Sequence, residues 1–336
     1  MRAVVQDAYG EPDDVLRLDE VERPAPGAGE VLVRVRAASL HVDVWHVVTG
    51  WPYVLRLMGS GVRRPKRRVP GTDLAGRVEA VGERVTRFAP GDEVFGESAA
   101  NSWQNGGAFA EFAAVQEDAL ARKPGGVTFE QAAAVPTAGS IALHNLRGAG
   151  RLAAGQHVLI NGAGGSVGSL AVQIARADGA RVTGVDRAER LALIRSLGAD
   201  HVTDFGREDV TRLGGRYDLV LDVASTMSLR DARRVLTPGG VYVRIGHDHY
   251  GRATGRVLGS LPRMLGLVAR GGFDRHLPRP GLALAPTRET MAALRALLEA
   301  GTLTPVVGRT FPLEEVPAAI RAMREGGVTG RIVIVP

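Results

Sequence analysis

Asn161-Gly162-Ala163-Gly164-Gly165-Ser166-Val167-Gly168 is the stretch whose reading decides the fold. The apolar run His157-Val158-Leu159-Ile160 leads into it and a helix-periodic stretch over 169–177 leaves it, so the glycines lie between a strand and a helix. In that setting Ala163-x-Gly165-x-x-Gly168 reads as a dinucleotide fingerprint. Gly165 removes the Cβ that would block a pyrophosphate, and Gly168 lets helix and strand pack closely. The helix N-terminus then offers unpaired N–H groups and a partial positive charge to the phosphates. The plain alternative is a glycine-rich turn that holds no ligand.

Downstream, the strand candidates Arg181-Val182-Thr183-Gly184-Val185, Asp200-His201-Val202, Leu219-Val220-Leu221-Asp222 and Val241-Tyr242-Val243-Arg244-Ile245 alternate with helical stretches over 187–197 and 228–236. Short apolar strands separated by single helices specify a parallel sheet covered on both faces, a doubly wound α/β unit. Asp186 ends the next strand, about 20 residues beyond the glycine run, where a carboxylate accepts from the ribose hydroxyls of a bound adenosine. A carboxylate there favours NADH over NADPH, whereas Arg187 and Arg190 are placed to pair with a 2′-phosphate. The expectation is NAD(P)H, with a slight lean to NADH.

Upstream of residue 128 the pattern changes. Val31-Leu32-Val33-Arg34-Val35-Arg36 and Gly76-Arg77-Val78-Glu79-Ala80-Val81 alternate, with turn signals such as Ala89-Pro90-Gly91-Asp92 between them, as in an antiparallel, barrel-like lobe. A helix is expected over 128–146 with Thr128 as its cap, and others over 288–300 and 316–325, followed by a last strand over 331–335. The chain of 336 residues is about two domains long, and 45% apolar with 23% charged residues is ordinary globular composition.

Net charge is +6, from arginines scattered among acids; a nucleic-acid partner is not expected, and an anionic cofactor suits the balance. No segment has the roughly 18 uncharged apolar residues of a membrane span, and the N-terminus reads as a strand, so a cytoplasmic protein with no membrane partner is the expectation. There is no cysteine, which rules out disulfides and every thiolate-bound metal.

Five further runs complete a pattern: Pro70-Gly71-Thr72-Asp73-Leu74-Ala75-Gly76, Pro90-Gly91-Asp92-Glu93-Val94-Phe95-Gly96, Gly106-Gly107-Ala108-Phe109-Ala110-Glu111, Ala134-Val135-Pro136-Thr137, and Gly155-Gln156-His157-Val158 continuing to Gly162. With the glycine turn, they make the chain resemble the zinc-free medium-chain dehydrogenase/reductases, which include quinone oxidoreductases and enoyl reductases. The resemblance implies a GroES-like β-rich catalytic domain over 1–124, completed by 286–336, and a Rossmann cofactor domain over 125–285. An active site in the cleft between them and a homodimer are also implied.

Carried onto this chain, the resemblance makes Gly162, Ala163, Gly164, Gly165, Ser166, Val167 and Gly168 the pyrophosphate turn. It places Asp186, with Arg187 and Arg190, at the adenosine ribose. Thr137 and the strand ends Asp222-Val223 and Ile245-Gly246-His247 then flank the nicotinamide. Alcohol dehydrogenases of the superfamily hold a catalytic zinc partly through the histidine of a Gly-His-Glu element. The matching element here is Gly71-Thr72-Asp73, and the expected metal count is none.

Reduction of a quinone or an α,β-unsaturated carbonyl proceeds without a metal, given hydrogen-bond donors for the developing oxyanion and a proton source. The runs Ser39-Leu40-His41-Val42-Asp43-Val44-Trp45-His46 and Gly50-Trp51-Pro52-Tyr53 are expected to line the cleft, with Tyr53 the first candidate proton donor and His41 the second. Trp45 and His46 read as packing residues. A zinc-independent alcohol dehydrogenase, a biosynthetic enoyl or imine reductase, and a cofactor-binding redox sensor without turnover are the alternatives.

Three other segments stay open. Asn101-Ser102-Trp103 is a substrate-covering or plain surface loop, and His247-Asp248-His249-Tyr250 is a polar run beyond a strand end. The apolar stretch over 257–273 is a pocket lid, a dimer contact, buried core or a membrane-surface helix. Arg63-Arg64-Pro65-Lys66-Arg67-Arg68 reads as a solvated loop.

Overall fold

The computed structural model describes residues 1–99, 104–245, 250, 255–278 and 288–336. The strands within them are β1 (Arg2–Gln6), β2 (Leu16–Glu20), β3 (Glu30–Ser39), β4 (Asp73–Val81), β5 (Glu93–Glu97), β6 (Phe112–Gln116), β7 (Leu120–Arg122), β8 (His157–Asn161), β9 (Arg181–Asp186), β10 (His201–Asp204), β11 (Tyr217–Asp222), β12 (Leu236–Arg244), β13 (Val307–Pro312) and β14 (Arg331–Val335).

The five central strands form a parallel sheet in the order β10-β9-β8-β11-β12. The chain steps outward from β8 on one side, then returns to its other side and steps outward again. That reversal puts a topological switch point between β8 and β11, where ligands bind beyond the carboxyl ends of such strands. Register brings those ends level, with Asn161 opposite both Val185 and Asp222. The strands are apolar because both faces are covered: Val158, Leu159, Ile160, Leu219, Val220 and Leu221 are fully buried.

A second sheet has the order β13-β14-β3-β4-β5-β7, with β6 also paired to β3. Both ends of the chain therefore build it, since β14 lies antiparallel to β3 and parallel to β13. One buried cluster joins Ala37, Ala75, Phe95 and Ala121 of this sheet to helix and strand residues around the parallel sheet. The two sheets share a core at their junction.

Helix limits follow local chemistry. The helix expected over 128–146 is two helices, Phe129–Ala133 and Pro136–Leu143. Thr128 does cap the first, in a capping box with Gln131, but Pro136 has no N–H to continue it and instead opens the second. The stretch over 187–197 begins with a 3-10 turn, Ala188–Arg190, before the helix Leu191–Ser196. Arg288–Glu299 packs on Pro136–Leu143 through Met291, Leu294 and Leu298, and a Cβ on Gly139 would stand 2.6 Å from Leu294 Cδ2.

The stretch over 257–273 is not core. It forms a turn and the helix Leu261–Gly271, which rests on the outer face of the parallel sheet through Leu267 while most of its length faces solvent. Trp45 and His46 are buried on the helix Val42–Thr49, His46 through a 2.8 Å contact from Nδ1 to Trp51 O. The loop over 101–103 and the residues Gly246, His247, Asp248 and His249 lie outside the described residues.

Candidate active site

The turn after β8 is shaped by its glycines for different reasons. Gly162 takes φ +86°, which a side chain resists. A Cβ on Gly168 would fall inside contact distance of Gly162 O and 2.8 Å from Ala163 Cα, so Gly168 is required by helix–strand packing. A Cβ on Gly165 would meet only Gly162 O, at 3.4 Å. Nothing in the protein forbids a side chain there, and the space it leaves lies over a helix N-terminus. The helix Ser166–Ala177 starts at that N-terminus with Gly165 as its N-cap and no side chain capping it. Its first N–H groups, from Ser166 and Val167 on, open toward this space, the arrangement that suits a pyrophosphate.

Asp186 closes the other side of the turn. It is buried at the end of β9; Oδ2 accepts from Gly164 N at 2.8 Å and Oδ1 from Arg187 N at 2.9 Å. Arg190 Nη1 lies 3.6 Å from the same carboxylate, while its Nη2 donates to the carbonyls of Gly326 and Val328. Arg190 also lies across Gly164, whose Cβ would be 2.8 Å from Arg190 Cδ. Arg187 is exposed, with its guanidinium beside Gly326. Asp186 and the two arginines thus meet at one rim of the turn.

Asp222, at the end of β11, points elsewhere. It is fully buried, receiving Asn161 Nδ2 at 2.7 Å, Tyr242 OH at 2.9 Å and Met227 N at 3.0 Å. Burial, then the Asp222 charge, pushes the Tyr242 phenol well up, so it stays a donor. Asp222 therefore acts by fixing the switch-point loop. That loop carries Val223, whose N–H donates to Asn161 O, and Ile245, just past β12, donates its N–H to Asp222 O.

The second half of the site is a buried polar cluster between the sheets. Asp73, at the start of β4, accepts from Arg331 Nη2 at 2.7 Å and Ser39 Oγ at 3.2 Å, and from both the backbone N–H and the hydroxyl of Thr137. Arg331 Nε donates to Ser39 Oγ at 3.0 Å. Glu97, paired in register with Asp73 across β4 and β5, is buried beside them. Burial and then the Asp73 charge hold its carboxyl well above the usual range; nearby Thr137 works against this and the Asp43 charge adds to it.

His41 is the N-cap of Val42–Thr49 and is buried. Its Nδ1 lies 3.2 Å from Asp43 N and 3.1 Å from Asp43 Oδ2. With Nδ1 accepting the amide, the neutral ring carries its proton on Nε2. When the ring takes a second proton, Nδ1–H faces the carboxylate instead. Tyr53 stands apart from this cluster, 40% exposed, with the Arg56 guanidinium 4.6 Å from its ring and its N–H on Arg256 O.

The polar cluster was only partly visible in the sequence. Thr137 and His41 are candidates from sequence, and Ser39 and Asp43 stand in the run expected to line the cleft, whereas Glu97 and Arg331 carry no such expectation. The available signal was a charge in the wrong place: Arg331 opens the otherwise apolar strand Arg331-Ile332-Val333-Ile334-Val335.

The family profiles described as alcohol dehydrogenase GroES-like domain and zinc-binding dehydrogenase match residues 27–125 and 197–334. Over its whole length the chain is 30% identical to the chloroplastic quinone-oxidoreductase QR1 of Triphysaria versicolor, covering 98% of that protein. The chain belongs to the quinone oxidoreductase-like, zinc-free medium-chain dehydrogenase/reductases. It is also 32% identical, across its full length, to the NADPH-dependent alkenal/one oxidoreductase of Arabidopsis thaliana, of which it covers 80%. Among solved structures, the quinone oxidoreductase of Coxiella burnetii superposes with a TM-score of 0.83 at 25% identity, covering 100% of this chain and 99% of that one. As a medium-chain reductase it is an NAD(P)H-dependent oxidoreductase with a GroES-like and a Rossmann unit, and the glycine turn fits that cofactor.

Proposed function

We propose that this reductase converts quinones or α,β-unsaturated carbonyls to their reduced forms in the cleft between the lobe of 1–124 with 286–336 and the lobe of 125–285. The observation that carries the reading is a cysteine-free polar cluster, His41 with Asp43 and Thr137 with Asp73, adjoining the cofactor lobe. Its His41 ring offers a hydrogen-bond donor and a proton, which suffice when conjugation already spreads the developing charge. The family's substrates, as named for the relatives above, support the same class.

The reduced nicotinamide supplies a hydride when bound. The N–H groups of Ser166 and Val167, at the open end of the turn Gly164 to Val167, would hold its pyrophosphate, Asp186 the adenosine ribose, and Thr137, Val223 and Ile245 the nicotinamide end. Asp186 argues for NADH, since a buried carboxylate repels a 2′-phosphate, and Arg190 is already committed to Asp186 and two carbonyls; Arg187 is the residue that would favour NADPH. His41 acts as the imidazolium, its Nδ1–H on the Asp43 carboxylate: it would donate its Nε2 proton to the substrate oxygen or carbon, return to the neutral ring, and take the proton back from solvent. His41 is favoured over Tyr53, the first candidate from sequence, because it lies in the buried cluster. The working unit is a homodimer that uses no zinc. A panel of quinones, enones and simple ketones with NADH tests the substrate class, and His41→Asn beside Tyr53→Phe assigns the proton.

A further inference from the structure

Two segments outside the site meet at one surface. Tyr53 N donates to Arg256 O at 2.9 Å and Val54 N to Val257 O at 3.0 Å, and a Cβ on Gly259 would touch Pro52. Large apolar side chains stand exposed along both: Leu57 and Val62 from the first, Met264, Leu265, Val268 and Phe273 from the second. Elsewhere among the described residues, the large apolar side chains this exposed are Leu18, Phe205 and Leu213, so the exposure is concentrated rather than scattered. Met264, Leu265 and Val268 share one stripe of Leu261–Gly271, beside the Leu267 and Gly271 that face the sheet.

Charge around this surface is mainly positive, and the acid at its edge, Asp274, is paired with Arg233. The sequence holds no Asp or Glu over 44–72 or 249–273, while Arg63, Arg64, Lys66, Arg67, Arg263 and Arg270 are exposed within those spans. An apolar stripe flanked by arginines on a helix too short to span matches a surface lying in the headgroup region of an anionic bilayer. A second copy of this chain suits it poorly, because a two-fold pairing would bring arginines onto arginines, and the neighbouring Asp274 is already paired with Arg233. A nucleic acid would use the arginines but leave Leu265, Val268 and Phe273 without partners.

We propose that this face docks the protein onto an anionic lipid surface, Leu261–Gly271 lying in the headgroup plane with the neighbouring loop over 53–62 beside it. It takes up the membrane-surface reading of 257–273; no helix among the described residues is long and apolar enough to cross a membrane. The docked face adjoins the helix capped by His41, since Arg56 Nε donates to Gly50 O at that helix's C-terminus. On the reading of quinone or enone substrates, docking brings the cleft to molecules that partition into lipid.

The test is co-sedimentation of the full chain with phosphatidylcholine vesicles, with and without phosphatidylglycerol, at low and high salt. The expected result is binding at least about tenfold stronger with phosphatidylglycerol, lost in high salt. Leu265→Glu with Val268→Glu, and separately Phe273→Ser at a 97% exposed position, should reduce binding several-fold, with the melting temperature and turnover of a water-soluble quinone unchanged. Because sedimentation needs no substrate, its outcome stands apart from the catalytic reading. No phosphatidylglycerol-dependent binding overturns the proposal. So does a change of oligomeric mass in these variants with lipid binding unaltered, which assigns the face to a second copy.

Discussion

Arg331 Nη2 lies 2.7 Å from Asp73 Oδ2, across 258 residues of sequence, and neither side chain reaches solvent. The pair ties the last strand to the start of β4, and through Thr137 it also ties both to the helix Pro136–Leu143. Removing the carboxylate would leave a guanidinium buried without its counter-charge, which costs about 3–5 kcal/mol. Asp73→Asn should lower unfolding stability in urea by that amount. A loss under about 1 kcal/mol would mean the pair is not what joins the units.

Glu97 gives the stability of this junction a pH dependence. Its native carboxyl holds a proton above the usual range, whereas the unfolded chain loses that proton near pH 4.3 or so. Between the unfolded and native values the native state binds more protons, so its stability falls as pH rises and levels off once the native group ionises. Glu97→Gln removes this dependence. The melting temperature of wild type should fall relative to Glu97→Gln from about pH 5 upward, and the two should run parallel below it. Parallel curves throughout would show that Glu97 ionises in the native state as it does unfolded.

The two glycines of the turn should separate folding from binding. Gly165→Ala adds a methyl where the protein leaves room, so stability should hold within about 0.5 kcal/mol while the KM for the cofactor rises about tenfold or more. Gly168→Ala drives a methyl into backbone and should cost about 1–3 kcal/mol of stability. Thermal melts with cofactor kinetics on the same preparations check both. Unchanged cofactor affinity in Gly165→Ala would remove the pyrophosphate from this turn.

The rim of Asp186 sets the cofactor preference. The wild type should have a KM for NADPH at least about tenfold above that for NADH, and Asp186→Ser should bring the ratio near unity. A wild-type preference for NADPH that Arg187→Ala abolishes would assign the ribose to the arginine side of the rim.

The doubly wound sheet was legible because parallel strands buried on both faces must be apolar throughout, and the glycine turn marks the strand that starts it. The helix expected over 128–146 rests on period and the Thr128 cap alone, and it breaks where Pro136 has no N–H to continue it. The polar cluster was harder to see. Asp73, Glu97, Thr137 and Arg331 are brought together by register between β4 and β5 and by β14 pairing with β3. Those long-range pairings leave no local spacing to read. Tyr53 shows the converse: its nearness to His41 in sequence does not bring it into the cluster, because the chain turns at Gly50, with φ +64°, and carries it to the surface.

The most direct measurement is oxidation of reduced nicotinamide cofactor by the purified chain, followed by its absorbance against quinones, conjugated enones and the matching saturated ketones. Turnover with quinones or enones and none with saturated ketones is the predicted result, with His41→Asn reducing kcat by about a hundredfold. Tight cofactor binding without turnover of any conjugated substrate, or activity confined to simple alcohols and ketones, would contradict it.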